Sequence, residues 1–249
     1  MNKTVSYEIE LMNISPRQWD DFLITHSGLP GSGPNMELAW AFAQVGTLMD
    51  FKKYIQLSSG LAPENTPAEF LVFCGVLGLG KYLSKRHDQG LLMRLREMAN
   101  DPREQIQEAV LMALQEIGAA DRFRLLKYAK SWINGTFLEQ RAAIAALCTS
   151  NLLSNQEIAR ETLTLLDWVT ATMVELDQQQ NQEYRILQQE LEKCWSIVVA
   201  DLPEKGKPMM ERWMKEDHPV IKVIMKANLQ QQRLTELDEE WVTEWRAKI

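Results

Sequence analysis

The sequence contains few cysteines, and their placement excludes the sites that cysteine usually builds. Cys74, Cys148 and Cys194 are the three cysteines among 249 residues. They are odd in number, far apart and outside any CxxC pair, so the sequence predicts neither a disulfide framework nor a cysteine metal motif. Each lies in an apolar stretch with helical periodicity, where a free thiol behaves as a small hydrophobic group.

Long apolar runs are also missing. The longest charge-free stretches, residues 22–36 and 142–156, are interrupted by Gly, Pro or polar residues. Both are shorter than the roughly 20 apolar residues that span a bilayer. The first ten residues lack the apolar core of a secretory signal. We therefore expect a soluble, cytoplasmic protein without a membrane partner, in which the thiols stay reduced.

Sequence motifs for catalysis and metal binding are absent too. The three histidines, His26, His87 and His218, have no partners at metal-ligand spacing. No GxSxG, Cys–His or GxxxxGK[ST] pattern occurs. We expect no catalytic residue, no metal and no cofactor, although the absence of known motifs leaves enzymatic activity open.

Glycine and proline are sparse, at 12 and 9 residues, and recurring helix-start signals predict an all-α fold. Asp101-Pro102 precedes a helix with apolar residues on one face, and Gly118 is predicted to end that helix. Further helix starts are predicted at Ser15, Asn35, Thr66-Pro67, Gly135-Thr136, Asn181 and Asp217-His218-Pro219.

Five of the predicted helices occupy equivalent positions in a repeat. Their equivalent residues are Phe70, Gln107, Arg141, Arg185 and Lys222, which are 34–44 residues apart. A further helix fits between each consecutive pair, and helix pairs repeating at this interval are typical of an α-solenoid. Small residues are predicted where neighbouring helices approach closely, at Ala109, Ala113, Ala143 and Ala146.

Three segments resemble the second helices of HEAT repeats. They are Asp101-Pro102 with Ile106, the stretch 141–147 (RAAIAAL) and the stretch 217–222 (DHPVIK). The resemblance covers residues 66–234 and implies an α-solenoid of stacked antiparallel helix pairs. Gln107 stands where the family favours Arg, and the unit that begins at Asn181 lacks the Asp-Pro pair.

The remaining segments are predicted to close the two ends of these repeats. Residues 1–65 form a helical N-terminal cap that contains a Gly- and Pro-rich loop at 27–35. Residues 235–249 form a C-terminal capping helix, in which Trp241, Val242 and Trp245 face the core. The three segments are expected to make one continuous domain.

Two groups of residues are candidate binding sites. Arg141, Arg185 and Lys222 could form a row of cations facing a ligand on a concave surface, or they could pair with the Asp of an adjacent turn and stabilise the stack. In the loop, Gly31, Ser32 and Asn35 precede a helix and could present backbone N–H groups to an anion. Equally, the loop could simply connect two capping helices, since it contains no Lys or Arg.

Nucleic acid is a possible but disfavoured partner. The formal net charge is −7, and the most basic region, residues 67–150, has 11 basic against 9 acidic residues. DNA binding requires a continuous cationic surface. In size and build the chain nevertheless resembles the HEAT-like alkylpurine DNA glycosylases, which use Trp, Asp and cationic side chains in a cleft. Residues of these types are Trp132, Arg141, Asp167, Trp168 and Trp195.

The function expected from these observations is binding without catalysis. Solenoids present extended concave surfaces, and a repeat fold by itself does not specify a reaction. We expect a scaffold that recognises a protein or another macromolecule. The alternative is a DNA-binding or alkylated-base-excising protein of the HEAT-like type.

Overall fold

A computed structural model describes residues 3–31, 33–176 and 178–249 of the chain. The described residues form sixteen α-helices and one 3₁₀ turn, with no β-strand, which confirms the all-α prediction. They divide into two compact units, the first ending at Ala120 and the second beginning at Asp121. This boundary falls inside the segment that resembles HEAT repeats.

The first unit contains seven α-helices, and the predicted caps at Ser15 and Asn35 form. Two other predicted starts differ: the Thr66 side chain makes no cap hydrogen bond, and the helix after Asp101-Pro102 begins only at Glu104, so Pro102 is not its first residue. The Ser15 hydroxyl and the Gln18 side chain form a capping box at a 3₁₀ turn, Pro16–Gln18. The Asn35 Oδ1 atom accepts a hydrogen bond from the Leu38 backbone N–H at 3.1 Å. The helices are α1 (Lys3–Asn13), α2 (Trp19–Thr25), α3 (Met36–Val45), α4 (Leu48–Tyr54), α5 (Pro67–Lys85), α6 (Gln89–Met98) and α7 (Glu104–Ala120).

Helix α5 lies at the centre of the first unit and packs against α2, α3, α4, α6 and α7. Its glycines permit the close contacts with α4 and α7, because they have no Cβ atom. A Cβ atom on Gly78 would lie 2.2 Å from the Phe51 ring, and one on Gly80 would lie 2.5 Å from the Cα atom of Ala113 in α7. Ala113 therefore lies at a close helix–helix contact, as predicted.

Helix α7 extends further than the sequence predicts. Gly118 does not end it, because the helix continues to Ala120 and buries Gly118. The described glycines with positive φ are Gly28 and Gly33. Gly118 therefore lacks the left-handed conformation of a helix-terminating glycine, and it lies buried within the last turns of the helix.

A buried charged cluster joins the segment before α5 to the start of α7. The Arg103 side chain is 3% exposed. It donates hydrogen bonds to the Asp101 carboxylate and, at 2.9 Å, to the backbone carbonyl of Ala62. Nearby, the fully buried Glu69 accepts a hydrogen bond from the Asn65 backbone N–H, and burial raises the pKa of this carboxyl.

The second unit contains nine α-helices in the described residues. Thr136 and Asn181 cap their helices through side-chain oxygens that accept backbone N–H groups, as predicted. Their bounds are α8 (Arg122–Trp132), α9 (Phe137–Leu147), α10 (Ser150–Leu153), α11 (Gln156–Leu176), α12 (Gln182–Asp201), α13 (Pro203–Met214), α14 (Pro219–Leu229), α15 (Gln232–Leu237) and α16 (Glu239–Lys248).

The second unit is organised around α12, which packs against α9, α11, α13 and α14. The fully buried Asn228 of α14 bonds to the backbone in the middle of α12. Its Oδ1 atom accepts from the Ser196 N–H, and its Nδ2 atom donates to the carbonyls of Leu191 and Ile224, each at 2.8 Å. The amide is therefore fully satisfied, and it fixes α14 in register with α12.

Helix α16 packs on α14 and α15 within the second unit. Trp241, Val242 and Trp245 are buried, as predicted for a helix that closes an apolar surface. The Asp238 carboxylate caps this helix by accepting the Trp241 backbone N–H at 2.9 Å.

We predict that Gly80→Ala lowers the free energy of unfolding by roughly 1–3 kcal/mol, because the new methyl group overlaps the α7 backbone. Gly90→Ala is the matched control. Gly90 lies in α6, where a Cβ atom would approach no atom closer than 3.5 Å. The control should be neutral or stabilising by up to about 1 kcal/mol. Urea unfolding measures both changes, and equal effects would contradict the close approach of α5 to α7.

We predict that Asn228→Leu destabilises the protein by roughly 2–5 kcal/mol, because the Ser196 N–H loses its buried partner. The exposed Asn151 of α10 provides the control, and Asn151→Ala should change stability by no more than about 0.5 kcal/mol. Thermal unfolding followed by circular dichroism tests the pair. A tolerated Asn228→Leu variant would show that the buried amide does not fix α14.

Candidate binding site

The second unit contains a cavity of about 530 Å³ where α13 ends, α14 begins and α16 ends. We name it the Trp245 pocket. Met214 and Trp245 form its apolar side, and both are largely buried. Four cations line the rest, namely Lys215, Lys222, Lys226 and Lys248. A volume of this size is within the range of ligand-binding clefts.

Two of these lysines lie over the indole ring of Trp245. The Nζ atom of Lys248 is 4.9 Å from the ring centroid, and that of Lys215 is 5.9 Å away. Both distances permit a cation–π interaction. The aromatic ring thus holds positive charge at the cavity, and both side chains are exposed to solvent.

Carboxylates neutralise part of this charge. Asp217 and Glu216 also line the pocket. Asp217 pairs with Lys222, and the hydrogen bond from this lysine lowers the pKa of Asp217. Lys248 pairs with Glu244. In the described part of the chain, Lys215 and Lys226 have no carboxylate at ion-pair distance, so they are the cations with most charge available to a ligand.

The three cations of the predicted row have different partners in the second unit. The Arg141 Nε atom lies 3.5 Å from a Glu190 carboxylate oxygen, and both side chains are about nine-tenths buried. The Arg185 Nε atom donates a hydrogen bond to the Gln179 carbonyl at 2.8 Å. Of the three candidates, Lys222 alone lines the Trp245 pocket.

The Gly- and Pro-rich loop is closed by its own hydrogen bonds. The Asn35 N–H donates to the Ser27 carbonyl at 2.7 Å, and the Asn35 side-chain amide donates to the His26 carbonyl and the Tyr7 hydroxyl. A Cβ atom on Gly31 would lie 2.7 Å from the Gly28 carbonyl oxygen. Ser32 lies outside the described residues. The polar atoms of Asn35 thus hold the loop and the start of α3.

The aromatic candidates have different surroundings. Trp132 and Trp195 are at most 2% exposed, and the Trp195 indole donates to the Thr170 hydroxyl at 3.1 Å. Asp167 accepts hydrogen bonds from Arg212 and from the Trp213 indole. Trp168 is 41% exposed. A base-binding cleft needs accessible aromatic faces, and Trp168 is the one of these tryptophans with a substantial exposed surface.

The cysteine thiols are in protected environments. Cys74, Cys148 and Cys194 are unpaired and buried. Burial raises the pKa of the Cys74 thiol, while a hydrogen bond to Cys148 and burial together raise the pKa of Cys194. The described residues include no group of three or more His, Cys, Asp or Glu side chains that could hold a metal ion.

Of the residues that line the pocket, sequence reasoning proposed only Lys222 as a binding residue, so it missed the other three lysines, Lys215, Lys226 and Lys248, and the role of Trp245. The sequence predicts Trp245 as a core residue, and it is buried, but it also lines the cavity. One available signal was the spacing of Lys222 and Lys226, which places both on one face of α14. Their approach to α13 and α16 depends on tertiary packing.

Comparison with known proteins identifies no family for this chain. No protein-family model matches the sequence, and no curated protein matches it. None of the helices in the described residues has the length and the hydropathy needed to cross a membrane.

We predict that Arg141→Met destabilises the protein by roughly 1–3 kcal/mol, because Glu190 loses a nearly buried cationic partner. Lys222→Met is the contrasting variant, and it should leave the unfolding midpoint unchanged because its ion pair with Asp217 is exposed. Urea unfolding at pH 7 provides the comparison. Equal stability of the two variants would contradict a structural role for Arg141.

Proposed function

We propose that this protein is a non-enzymatic binding scaffold of HEAT-like repeats, and that the Trp245 pocket recognises an acidic segment of a protein partner. The observation that carries the proposal is that four lysines and Trp245 line the same cavity. The chain as a whole has a net charge of −7, so this cationic cavity stands out from an acidic background and would orient an acidic partner.

The pocket offers an acidic segment both charge and apolar contact. Lys215 and Lys226 supply ammonium groups without carboxylate partners in the described residues. Trp245 and Met214 supply the apolar lining of the pocket. Val223 lies outside this lining, on the same helix as Lys226, and is 48% exposed. Carboxylate side chains of the partner would pair with the lysines while an adjoining apolar residue packs on this surface.

Helix packing supports the repeat assignment. The helices that the sequence places at equivalent repeat positions pack against each other within each unit: α5 against α7, and α12 against α9 and α14. We propose that these pairs stack as an α-solenoid. A cytoplasmic location is part of the same proposal, and the three unpaired thiols accord with a reducing compartment.

The test is binding of fluorescein-labelled octaglutamate, measured by fluorescence anisotropy. The variant Lys215→Glu/Lys226→Glu should weaken peptide binding by about tenfold or more, because it reverses the charge at the two pocket lysines that have no carboxylate partner in the described residues. The matched control is Lys127→Glu/Lys205→Glu, which changes net charge equally at two exposed lysines of the same unit outside the pocket. The control should retain binding within about twofold.

Two results would overturn the proposal. Equal losses in the two double variants would mean that the peptide follows net charge and not the pocket. Preference for a duplex oligonucleotide over octaglutamate, abolished by the pocket variant, would favour the DNA-binding alternative. Circular dichroism spectra of all variants verify that they remain helical.

A further inference from the structure

The first unit has a separate cationic cavity of about 230 Å³, which we name the Tyr82 pocket. The last two turns of α5 and the residue that follows contribute Lys81, Tyr82, Lys85 and Arg86. The opposite side is formed by the end of α3 and the start of α4, including Gln44 and Thr47. No Asp or Glu is among its lining residues, in contrast to the Trp245 pocket.

The cationic groups of this pocket are held in different ways. The Lys81 Nζ atom is fixed by Glu116 of α7 at 2.7 Å. The Arg86 guanidinium lies over the Tyr82 ring, 5.3 Å from its centroid, with Nη1 3.5 Å from the Tyr82 hydroxyl. Lys85 is exposed and has no ion-pair partner in the described residues. The stacked guanidinium keeps hydrogen-bond donors available at its edge.

Compensation of the α5 dipole explains only part of this arrangement. Cations in the last turn of a helix are favoured by the partial negative charge there. The dipole does not require a cavity facing these cations, or uncharged polar groups on the other side. Gln44 and Thr47 come from a different part of the chain and line the space opposite the cations. The Thr47 N–H and hydroxyl donate to the Asp50 carboxylate, so the neutral groups left to face an anion are the Gln44 amide and the Tyr82 hydroxyl.

We infer that the Tyr82 pocket binds the phosphoryl group of a phosphate monoester. The Lys85 ammonium and the Arg86 guanidinium match the two negative charges and several acceptor oxygens of such a group at neutral pH, and Lys81, already paired with Glu116, adds a further donor at the wall. The cavity is too small for most of a drug-sized ligand, so the pocket would take the phosphoryl group while the rest of the molecule extends into solvent. This site is independent of the Trp245 pocket, which belongs to the other unit.

The experiment uses isothermal titration calorimetry to measure binding of O-phosphoserine, inorganic phosphate or serine to the full chain at constant ionic strength. O-Phosphoserine should bind and serine should not. Binding of inorganic phosphate as tightly as O-phosphoserine would identify the free ion as a source of the same group. The variant Lys85→Gln/Arg86→Gln should weaken phosphoserine binding by about tenfold or more.

The matched control is Arg17→Gln/Lys52→Gln, which removes one exposed arginine and one exposed lysine of the same unit outside the pocket. It should change the affinity by less than about twofold. If the pocket double variant loses its helical circular dichroism, Lys85→Gln alone replaces it, because this exposed side chain has no ion-pair partner in the described residues.

Three outcomes would overturn the inference: no binding of phosphoserine, equal losses in the pocket and control variants, or equal binding of serine. A duplex oligonucleotide serves as the phosphodiester comparison. If it binds through Lys85 and Arg86 while the monoester does not, the pocket is part of a nucleic-acid surface and not a monoester site.

Discussion

The close packing of α5 is the constraint on which the first unit depends. Of the five helices that pack against α5, two approach it where it has no side chain: Gly75 and Gly78 face the segment 51–55 at α4, and Gly80 faces Ala113 of α7. Beyond Gly80 the chain carries polar, more exposed side chains: Lys81 and Tyr82 are half-buried, and Lys85 and Arg86 are exposed. Because the glycine-containing part has little freedom to shift, it determines where the cationic end of α5 lies relative to α3 and α4.

In the second unit, α14 connects the interior to the surface in a comparable way. One face carries Ile224 and Asn228, which are buried, and Asn228 bonds to the backbone of α12. The other face carries Lys222 and Lys226, which line the Trp245 pocket. Helical geometry ties the two faces together, since a rotation of α14 that moved the lysines would also break the Asn228 bonds. A neutral buried amide thus helps to determine the position of an exposed cationic site.

The sequence predicted features that depend on local chemistry and missed those that depend on distant contacts. Caps at Asn35, Thr136 and Asn181 were identifiable because a short polar side chain bonds to N–H groups within three residues. The local pattern at Gly118 predicts a helix end, yet the helix continues through this buried residue to Ala120. Helix α1 gave no cap signal and was not predicted, and it is stabilised partly by the indole of Trp19 bonding to the Leu11 carbonyl. Both cationic pockets unite residues from separate helices, and no single stretch of sequence encodes that proximity.

Each of the two units contains at least one buried cysteine whose chemical labelling can be followed separately. Cys74 lies in the first unit, whereas Cys148 and Cys194 lie in the second. A buried thiol with a raised pKa reacts with alkylating reagents only when its surroundings open. The labelling rate of Cys74 or of Cys194 in the native protein, divided by its rate in the unfolded chain, therefore reports the opening of the structure around that thiol, and peptide mass spectrometry can resolve the two cysteines without any mutation.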